Sequence, residues 1–364
     1  MTKRQYKEFL VDDSYKSLSR SPIPILSLDT HIISNMAKWK QGYRLDSISR
    51  NRAKELYDMI YKLTREKKLL CPILDIHETE CALDSRLSKI AKEVIIQLSA
   101  GIKFKHRQRI ENWQTAMAMR AFIKKEDKID YQSKWLHIFS NDPIVELARE
   151  KPFIVSVSRD YSDEEIDKMR YQKEALRQEL IRIKEKEKNV KISFDKQLER
   201  EYEGHLFGIL KLGANMLTYI LKGQIPSIEA FMGYLNLGLP LTWWKEYNGK
   251  PEGLPGLSTF YRSKQFKEIP FIEIKCKLNA ALATYNKDDI PKLSDWIDVG
   301  MISSILPYAH FIILDKTMAN LITQKLRLDK KYNAKIFSPK QHNLLMEELN
   351  EISQKPSPLN NYAS

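Results

Sequence analysis

The sequence predicts an α/β fold, in which a parallel sheet flanked by helices is interrupted by a large helical insertion. Two apolar runs carry this prediction, Pro24–Leu28 and Phe311–Leu314, because each is short and is followed directly by an aspartate. Such runs are typical of strands that are buried on both faces of a parallel sheet. The third observation is a long, highly charged helical pattern that begins at Ser162 and separates the two runs.

The first 160 residues alternate between short apolar runs and amphipathic periods, as expected for strands and helices that follow one another in an α/β fold. In chain order, we expect a strand at Ile23–Leu28, a helix at Arg52–Lys67, a strand at Lys68–Leu74, a helix at His77–Ser99, a helix that is basic at both ends at Phe104–Lys125, and a strand at Pro152–Val157.

The second half begins with the charged pattern, which predicts a helical hairpin or arm over Ser162–Gly223. Gly238–Ser263 is rich in Gly, Pro and aromatic residues, and we expect a long ordered loop or a lid there. The remaining elements are helix or strand at Phe271–Thr284, a helix from Ser294 to the break at Pro307, strands at Phe311–Leu314 and Ala334–Phe337, and helices at Met318–Leu328 and Gln341–Ile352.

These patterns divide the chain into five segments. They are a polar arm at 1–22, the first part of the α/β domain at 23–160, the helical insertion and its Gly/Pro/aromatic loop at 161–269, the second part of the α/β domain at 270–352, and a polar tail at 353–364. The insertion is also the segment through which we expect self-association or the binding of a protein partner.

The charge balance favours an anionic partner. Lys and Arg number 60 against 47 Asp and Glu, which gives a net charge of +13, and nucleic acid explains that excess more simply than an acidic membrane surface. The three cysteines have no metal-ligand spacing, which argues against a zinc site or a disulfide framework. With neither a signal-peptide core nor an apolar run of about eighteen residues, we expect a cytoplasmic protein with no membrane segment.

Acidic residues stand at the predicted strand ends and in early helix turns. Because the carboxyl ends of parallel strands meet at one edge of a sheet, we expect four of them to lie close together, and we call them the acidic quartet: Asp29, Glu80, Asp298 and Asp315. Carboxylates held within about 5 Å repel one another unless a cation lies among them. Hard oxygen ligands suit Mg²⁺ or Mn²⁺, which can activate water for phosphodiester hydrolysis.

Two of these choices remain open from the sequence. Glu78 is an alternative to Glu80, and Asp295 is an alternative to Asp298 and a further metal ligand, although Asp295 could instead cap its helix. Asp29 could likewise be only a turn or cap residue. His31 and His77 are expected to be polar residues near the site and not metal ligands.

The same motifs resemble those of the PIN-like domain nucleases, which have a Rossmann-like parallel sheet. The resemblance covers roughly residues 22–110 and 270–350 and depends on Leu28-Asp29-Thr30, on Cys71–Leu74 followed by Glu80, on Asp295–Asp315 with its Leu306–Tyr308 break, and on Ala334–Pro339. The chain departs from the family pattern at His31, where many members have Asn, and this puts a hydrogen bond from that Asn in doubt.

The resemblance implies a metal-dependent endoribonuclease, with RNA favoured over DNA and a toxin or host-defence effector among its roles. The acidic quartet would ligate or polarise Mg²⁺ or Mn²⁺, and basic residues would hold the backbone, namely Lys316, Lys105, Arg107 and Arg109. The alternatives are a structure-specific DNA nuclease and a catalytically silent nucleic-acid-binding or scaffold protein. A haloacid dehalogenase type of phosphohydrolase is disfavoured because His31 occupies the position of its second aspartate.

Overall fold

The computed structural model describes residues 20–83, 86–127, 129–143, 146, 162–187, 192–223, 225, 228–285 and 293–358. Up to residue 187 the elements are β1 (Leu26–Ser27), α1 (Thr30–Lys40), α2 (Ser47–Arg65), α3 (Asp75–Leu83), α4 (Ser88–Ser99), α5 (Arg107–Lys124), a 3-10 helix (Gln132–Ile138) and α6 (Asp163–Glu187). They continue as α7 (Phe194–Leu221), α8 (Ile228–Glu246), α9 (Gly253–Tyr261), α10 (Lys264–Lys267), α11 (Pro270–Tyr285), α12 (Leu293–Ile305), β2 (Phe311–Ile313), α13 (Lys316–Asn320), a π-helix (Leu321–Lys325), α14 (Leu328–Tyr332), β3 (Lys335–Phe337), a 3-10 turn (Pro339–Gln341) and α15 (His342–Gln354). The strand predicted at Pro152–Val157 and residues 1–19 of the predicted arm lie outside the described residues.

The sheet is parallel and has β2 at its centre, with β1 and β3 on either side. Single parallel bridges extend it beyond β1, from Ile25 to Leu70 and from Ile73 to Lys103. The strand predicted at Lys68–Leu74 is therefore present only as two isolated bridges. Numbered along the chain, the five extended segments lie in the spatial order 3-2-1-4-5, which is the order of a doubly wound sheet. The order reverses between β1 and β2.

One structural unit contains this sheet, and it comprises the described residues within 20–107, 132–187 and 293–358. Alternate strand residues, including Leu26, Leu28 and Phe311, pack in one hydrophobic core with the apolar faces of α1, α2, α4 and α15. The helical spacing seen in the sequence thus corresponds to burial against the sheet. Because the strands and the flanking helices share this core, the positions of the strand ends are fixed.

Most element predictions for this unit are confirmed. They include the helix at Arg52–Lys67, the strands at Phe311–Leu314 and Ala334–Phe337, and the last helix. The single helix predicted at His77–Ser99 is instead two helices, α3 and α4. Arg86 and Leu87 form a turn directly before α4, and Leu87 is its N-cap residue.

The second unit is helical and contains, among the described residues, Gln108–Tyr131 and most of residues 192–285. The loop or lid predicted over Gly238–Ser263 is wrong, since α8 and α9 cover most of that segment. The Trp244 side chain is 1% exposed, and its indole Nε1 donates to the Pro251 carbonyl at 2.8 Å. A Cβ atom on Gly249 or Gly256 would collide with this indole. Close packing against Trp244 therefore accounts for these glycines.

The two units divide the chain differently from the predicted boundaries. Helix α6, predicted as part of the insertion, belongs to the sheet-containing unit, whereas α11 belongs to the helical unit. Within the sheet-containing unit, α6 lies against α3 and α12, and the Arg170 guanidinium donates to the Leu83 carbonyl at 3.0 Å. None of the helices in the described part of the chain is both long and apolar enough to cross a membrane.

Candidate active site

Two adjacent parallel strands end on an aspartate that caps the next helix. Leu26 is paired with Phe311 and Ser27 with Ile312, so β1 and β2 run out at the same edge of the sheet. Asp29 follows β1 and caps α1 by accepting from the His31 amide at 2.8 Å. Asp315 follows β2 and caps α13 by accepting from the Thr317 and Met318 amides at 2.6 and 3.0 Å.

This edge is also where the strand order reverses. In open α/β sheets, ligands bind outside the carboxyl ends of the strands at such a reversal, because the connecting helices diverge there and leave a crevice. The structure therefore places Asp29 and Asp315 on either side of the position at which a doubly wound sheet binds its ligand.

Asp298 lies on α12 and is partly buried. Burial is the largest cause that raises the pKa of its carboxyl to about 8, and the negative charges of four acids raise it further. In decreasing order, these acids are Asp29, Glu80, Asp315 and Asp295. The structure thus brings all members of the acidic quartet, which come from four separate elements, into one electrostatic neighbourhood.

Asp29 shows the same effect more weakly. Burial raises the pKa of its carboxyl, the amide and the charge of His31 lower it, and the charge of Asp315 raises it. The cap hydrogen bond and the carboxylate cluster are therefore both present at Asp29. The cap interpretation and the site interpretation of this residue do not exclude each other.

Helical geometry separates Glu80 from Glu78. At about 100° per residue, the two side chains point to faces of α3 that are about 200° apart. Glu78 accepts from the Lys103 ammonium through both of its carboxylate oxygens, each at 2.7 Å. Glu80 is the one whose charge acts on Asp298. The structure accordingly places Glu80 with the quartet and Glu78 in an ion pair.

Asp295 and Asp298 are three residues apart, so they share a face of α12. Asp295 lies in the first turn of that helix and makes the smallest of the four acidic contributions to the pKa of Asp298. Both acids thus face the same region, and the pKa of Asp298 is raised by the other members of the quartet.

The four basic residues predicted to hold the substrate backbone have different surroundings. Lys316 is exposed directly after Asp315, at the start of α13. The Arg107 Nε lies 3.7 Å from the Asp75 carboxylate, and its guanidinium packs against Gly300, about 200° around α12 from Asp298. Lys105 donates its backbone amide to the Ile138 carbonyl, and Arg109 is exposed in the helical unit.

Near this edge, sequence reasoning missed one acid, and it placed a second residue there without identifying its partner. Asp75 follows the apolar run that ends at Leu74, which is the pattern that identified Asp29 and Asp315. The Asp75 carboxylate has basic neighbours, with His106 Nε2 at 3.3 Å in addition to the Arg107 guanidinium. The second residue is His77, which is 2% exposed and connects α3 to the residue before Asp29.

The donor chemistry of this cluster suits a hard divalent cation. Two of its carboxylates follow β1 and β2, and the other two lie on α3 and α12. A positive charge among them would relieve their mutual repulsion. Within the described residues, no three His, Cys, Asp or Glu side chains already form a group that could hold a metal ion. The chemical type of the donors thus fits a divalent cation. Because the described carboxylates do not yet form such a group, a bound cation would have to draw them closer together.

Comparison with known proteins adds no assignment. No family model matches the chain, and neither a curated protein nor a solved structure matches it.

Proposed function

We propose that the protein is a metal-dependent, PIN-like endoribonuclease that hydrolyses phosphodiester bonds at the acidic quartet. One observation carries the proposal: acids from four separate elements raise the pKa of Asp298 at the edge where the strand order reverses. A partly buried carboxyl among other acids costs stability when it is charged, and such costs are typical of sites kept for function.

The quartet would hold Mg²⁺ or Mn²⁺, and Asp295 is a further ligand candidate on the same face of α12. When bound, such a cation supplies the positive charge that activates water and stabilises the leaving oxygen. Asp298 retains a proton on its carboxyl up to about pH 8 without a cation, so ligand binding at this residue requires that the proton leave. Lys316, which is exposed next to Asp315, would meet a substrate phosphate.

The net charge of +13 supports nucleic acid as the substrate, and RNA is favoured over DNA by the family resemblance alone. The test is cleavage of labelled single-stranded RNA, single-stranded DNA and branched DNA by the purified protein, with Mn²⁺, with Mg²⁺ and with chelator. We expect metal-dependent cleavage of RNA. Cleavage of branched DNA alone would indicate the structure-specific DNA nuclease, and salt-sensitive binding without any cleavage would indicate the silent nucleic-acid-binding protein.

A matched pair of variants on α3 tests the site itself. Glu80→Gln removes a quartet charge and should lower the cleavage rate on the order of 100-fold or more. Glu78→Gln removes a charge from the opposite face and should leave cleavage close to the parent rate, because Glu78 is occupied by Lys103. Equal losses in the two variants would contradict the assignment of Glu80.

A further inference from the structure

His77 is a buried side chain with both ring nitrogens engaged by the backbone. It lies in the first turn of α3 and is 2% exposed. Its Nε2 is 2.8 Å from the Leu28 carbonyl oxygen, and its Nδ1 is 3.4 Å from the Leu74 amide nitrogen.

These two partners determine which nitrogen carries the proton. A carbonyl oxygen only accepts and an amide N–H only donates, so Nε2 must donate to Leu28 and Nδ1 must accept from Leu74. This requires the neutral imidazole. Burial lowers the pKa of His77 to about 4, against the weaker opposing effects of the Leu28 carbonyl and Asp75. The ring is therefore neutral at physiological pH and holds one tautomer.

The positions of the two partners connect acids on different elements. Leu28 directly precedes Asp29 and is 2% exposed, so its carbonyl belongs to a fixed part of the chain. His77 and Glu80 are three residues apart and share a face of α3. The hydrogen bond from His77 to Leu28 thus runs between the end of β1 and the same face of the helix that carries Glu80.

We propose that His77 is a positioning residue, which joins α3 to the end of β1 and thereby fixes the separation between Glu80 and Asp29. The inference rests on the proposed function, because it assigns His77 a role toward the acidic quartet. Its effect on the reaction is indirect, through the spacing of the acids. A shift of about 1 Å in a positioned group can cost about 100-fold in rate.

Three substitutions separate this role from a purely structural one. His77→Gln keeps a side-chain N–H that can reach the Leu28 carbonyl. In His77→Asn the amide extends only as far as Nδ1 of the histidine did, so it is too short to reach Leu28. His77→Phe keeps an aromatic ring but makes neither hydrogen bond. The control is His342→Phe, a buried histidine of the same unit whose Nε2 lies 3.1 Å from the Glu55 carboxylate. All variants are made in the full chain.

The readouts are the Mn²⁺ dissociation constant by calorimetry, kcat and KM for RNA cleavage, and amide hydrogen exchange over residues 28–33 and 75–83. We expect His77→Phe and His77→Asn to weaken Mn²⁺ binding and to lower kcat by about 10- to 100-fold, with KM little changed. We expect faster amide exchange in both segments, and substantial recovery of all three readouts in His77→Gln. His342→Phe should change none of them.

The outcomes distinguish this inference from the proposed function. If the parent cleaves RNA and His77→Phe matches its Mn²⁺ affinity and kcat, the positioning role is overturned and the nuclease stands. If the parent neither binds Mn²⁺ nor cleaves, the nuclease proposal fails, and hydrogen exchange then decides whether His77 joins the two segments. Unchanged exchange in His77→Phe overturns the positioning role in that case also.

Discussion

The two structural units bury acidic side chains in opposite ways. In the helical unit, Glu273 is 4% exposed, and its carboxylate accepts from the Lys277 ammonium at 2.6 Å. In the same unit, Glu201 accepts from Gln197 and Asn279 side chains at 2.8 and 3.3 Å. In the sheet-containing unit, burial raises the pKa of the partly buried Asp298, and the charges of four other acids raise it further.

This difference separates acids that stabilise the fold from acids that oppose it. A buried carboxylate is tolerated when a cation or N–H donors compensate for its lost hydration. At an effective dielectric near 20, two unit charges about 5 Å apart repel by roughly 3 kcal/mol. The helical unit surrounds Glu273 and Glu201 with side-chain donors. The sheet-containing unit instead places Asp298, whose pKa is raised, among other acids at a single edge. The contrast is what would be expected if that edge serves a cationic ligand.

The largest expected effect concerns pH. The folded-state pKa of Asp298 is raised to about 8, whereas an unfolded aspartate titrates near about 3.9. Between these values the folded state holds a proton that the unfolded state has lost, so rising pH destabilises the metal-free protein by up to about 1.4 kcal/mol per unit. This contribution levels off above about pH 8. Urea unfolding of parent and Asp298→Asn across this range, in chelator, measures the free energy of unfolding at each pH. It should fall more steeply with rising pH for the parent than for the variant. Equal slopes in the two proteins would contradict the raised pKa.

The next effect tests the helical unit. Lys277→Met removes the cation beside the buried Glu273 and should lower the free energy of unfolding by about 1–3 kcal/mol. The matched control is Lys264→Met, which removes an exposed cation 3.6 Å from Glu268 and should cost less than about 1 kcal/mol. Equal losses would show that the acids of the helical unit are not compensated in the way described.

The smallest effect concerns the cap at Asp29. Asn is as good an N-cap as Asp, so Asp29→Asn should keep the hydrogen bond from the His31 amide, whereas Asp29→Ala removes it. In chelator, we expect the free energy of unfolding of Asp29→Ala to be about 0.5–2 kcal/mol lower than that of Asp29→Asn. Thermal melts of the two variants side by side measure the cap separately from the charge. Identical melts would show that the cap contributes nothing.

The sequence predicted the sheet-containing unit better than the helical unit, for physical reasons. The apolar runs that end on Asp29 and Asp315 are local patterns, and parallel pairing brings their ends together in any such sheet. The helices over Gly238–Ser263 depend on the burial of Trp244 in a core that includes Phe122, which is distant along the chain, and this burial overrides the local preference of Gly and Pro. Folding alone forms the ion pair between Glu78 and Lys103, so the local sequence left the choice between Glu78 and Glu80 open. The hydrogen bond from His77 to Leu28 likewise joins residues that are distant along the chain.

The most direct test of the central claim is the effect of Mn²⁺ on the melting temperature of parent and Asp298→Asn. A cation that binds only the folded state stabilises it by about 2.7 kcal/mol at 100 times its dissociation constant. We predict that Asp298→Asn melts at or above the parent temperature in chelator, because the amide never carries the charge that burial and the neighbouring acids disfavour in the parent. We also predict that Mn²⁺ raises the parent melting temperature and raises that of the variant much less. A variant that melts several degrees lower in chelator, with equal Mn²⁺ shifts in both proteins, would contradict the account and make Asp298 a structural residue.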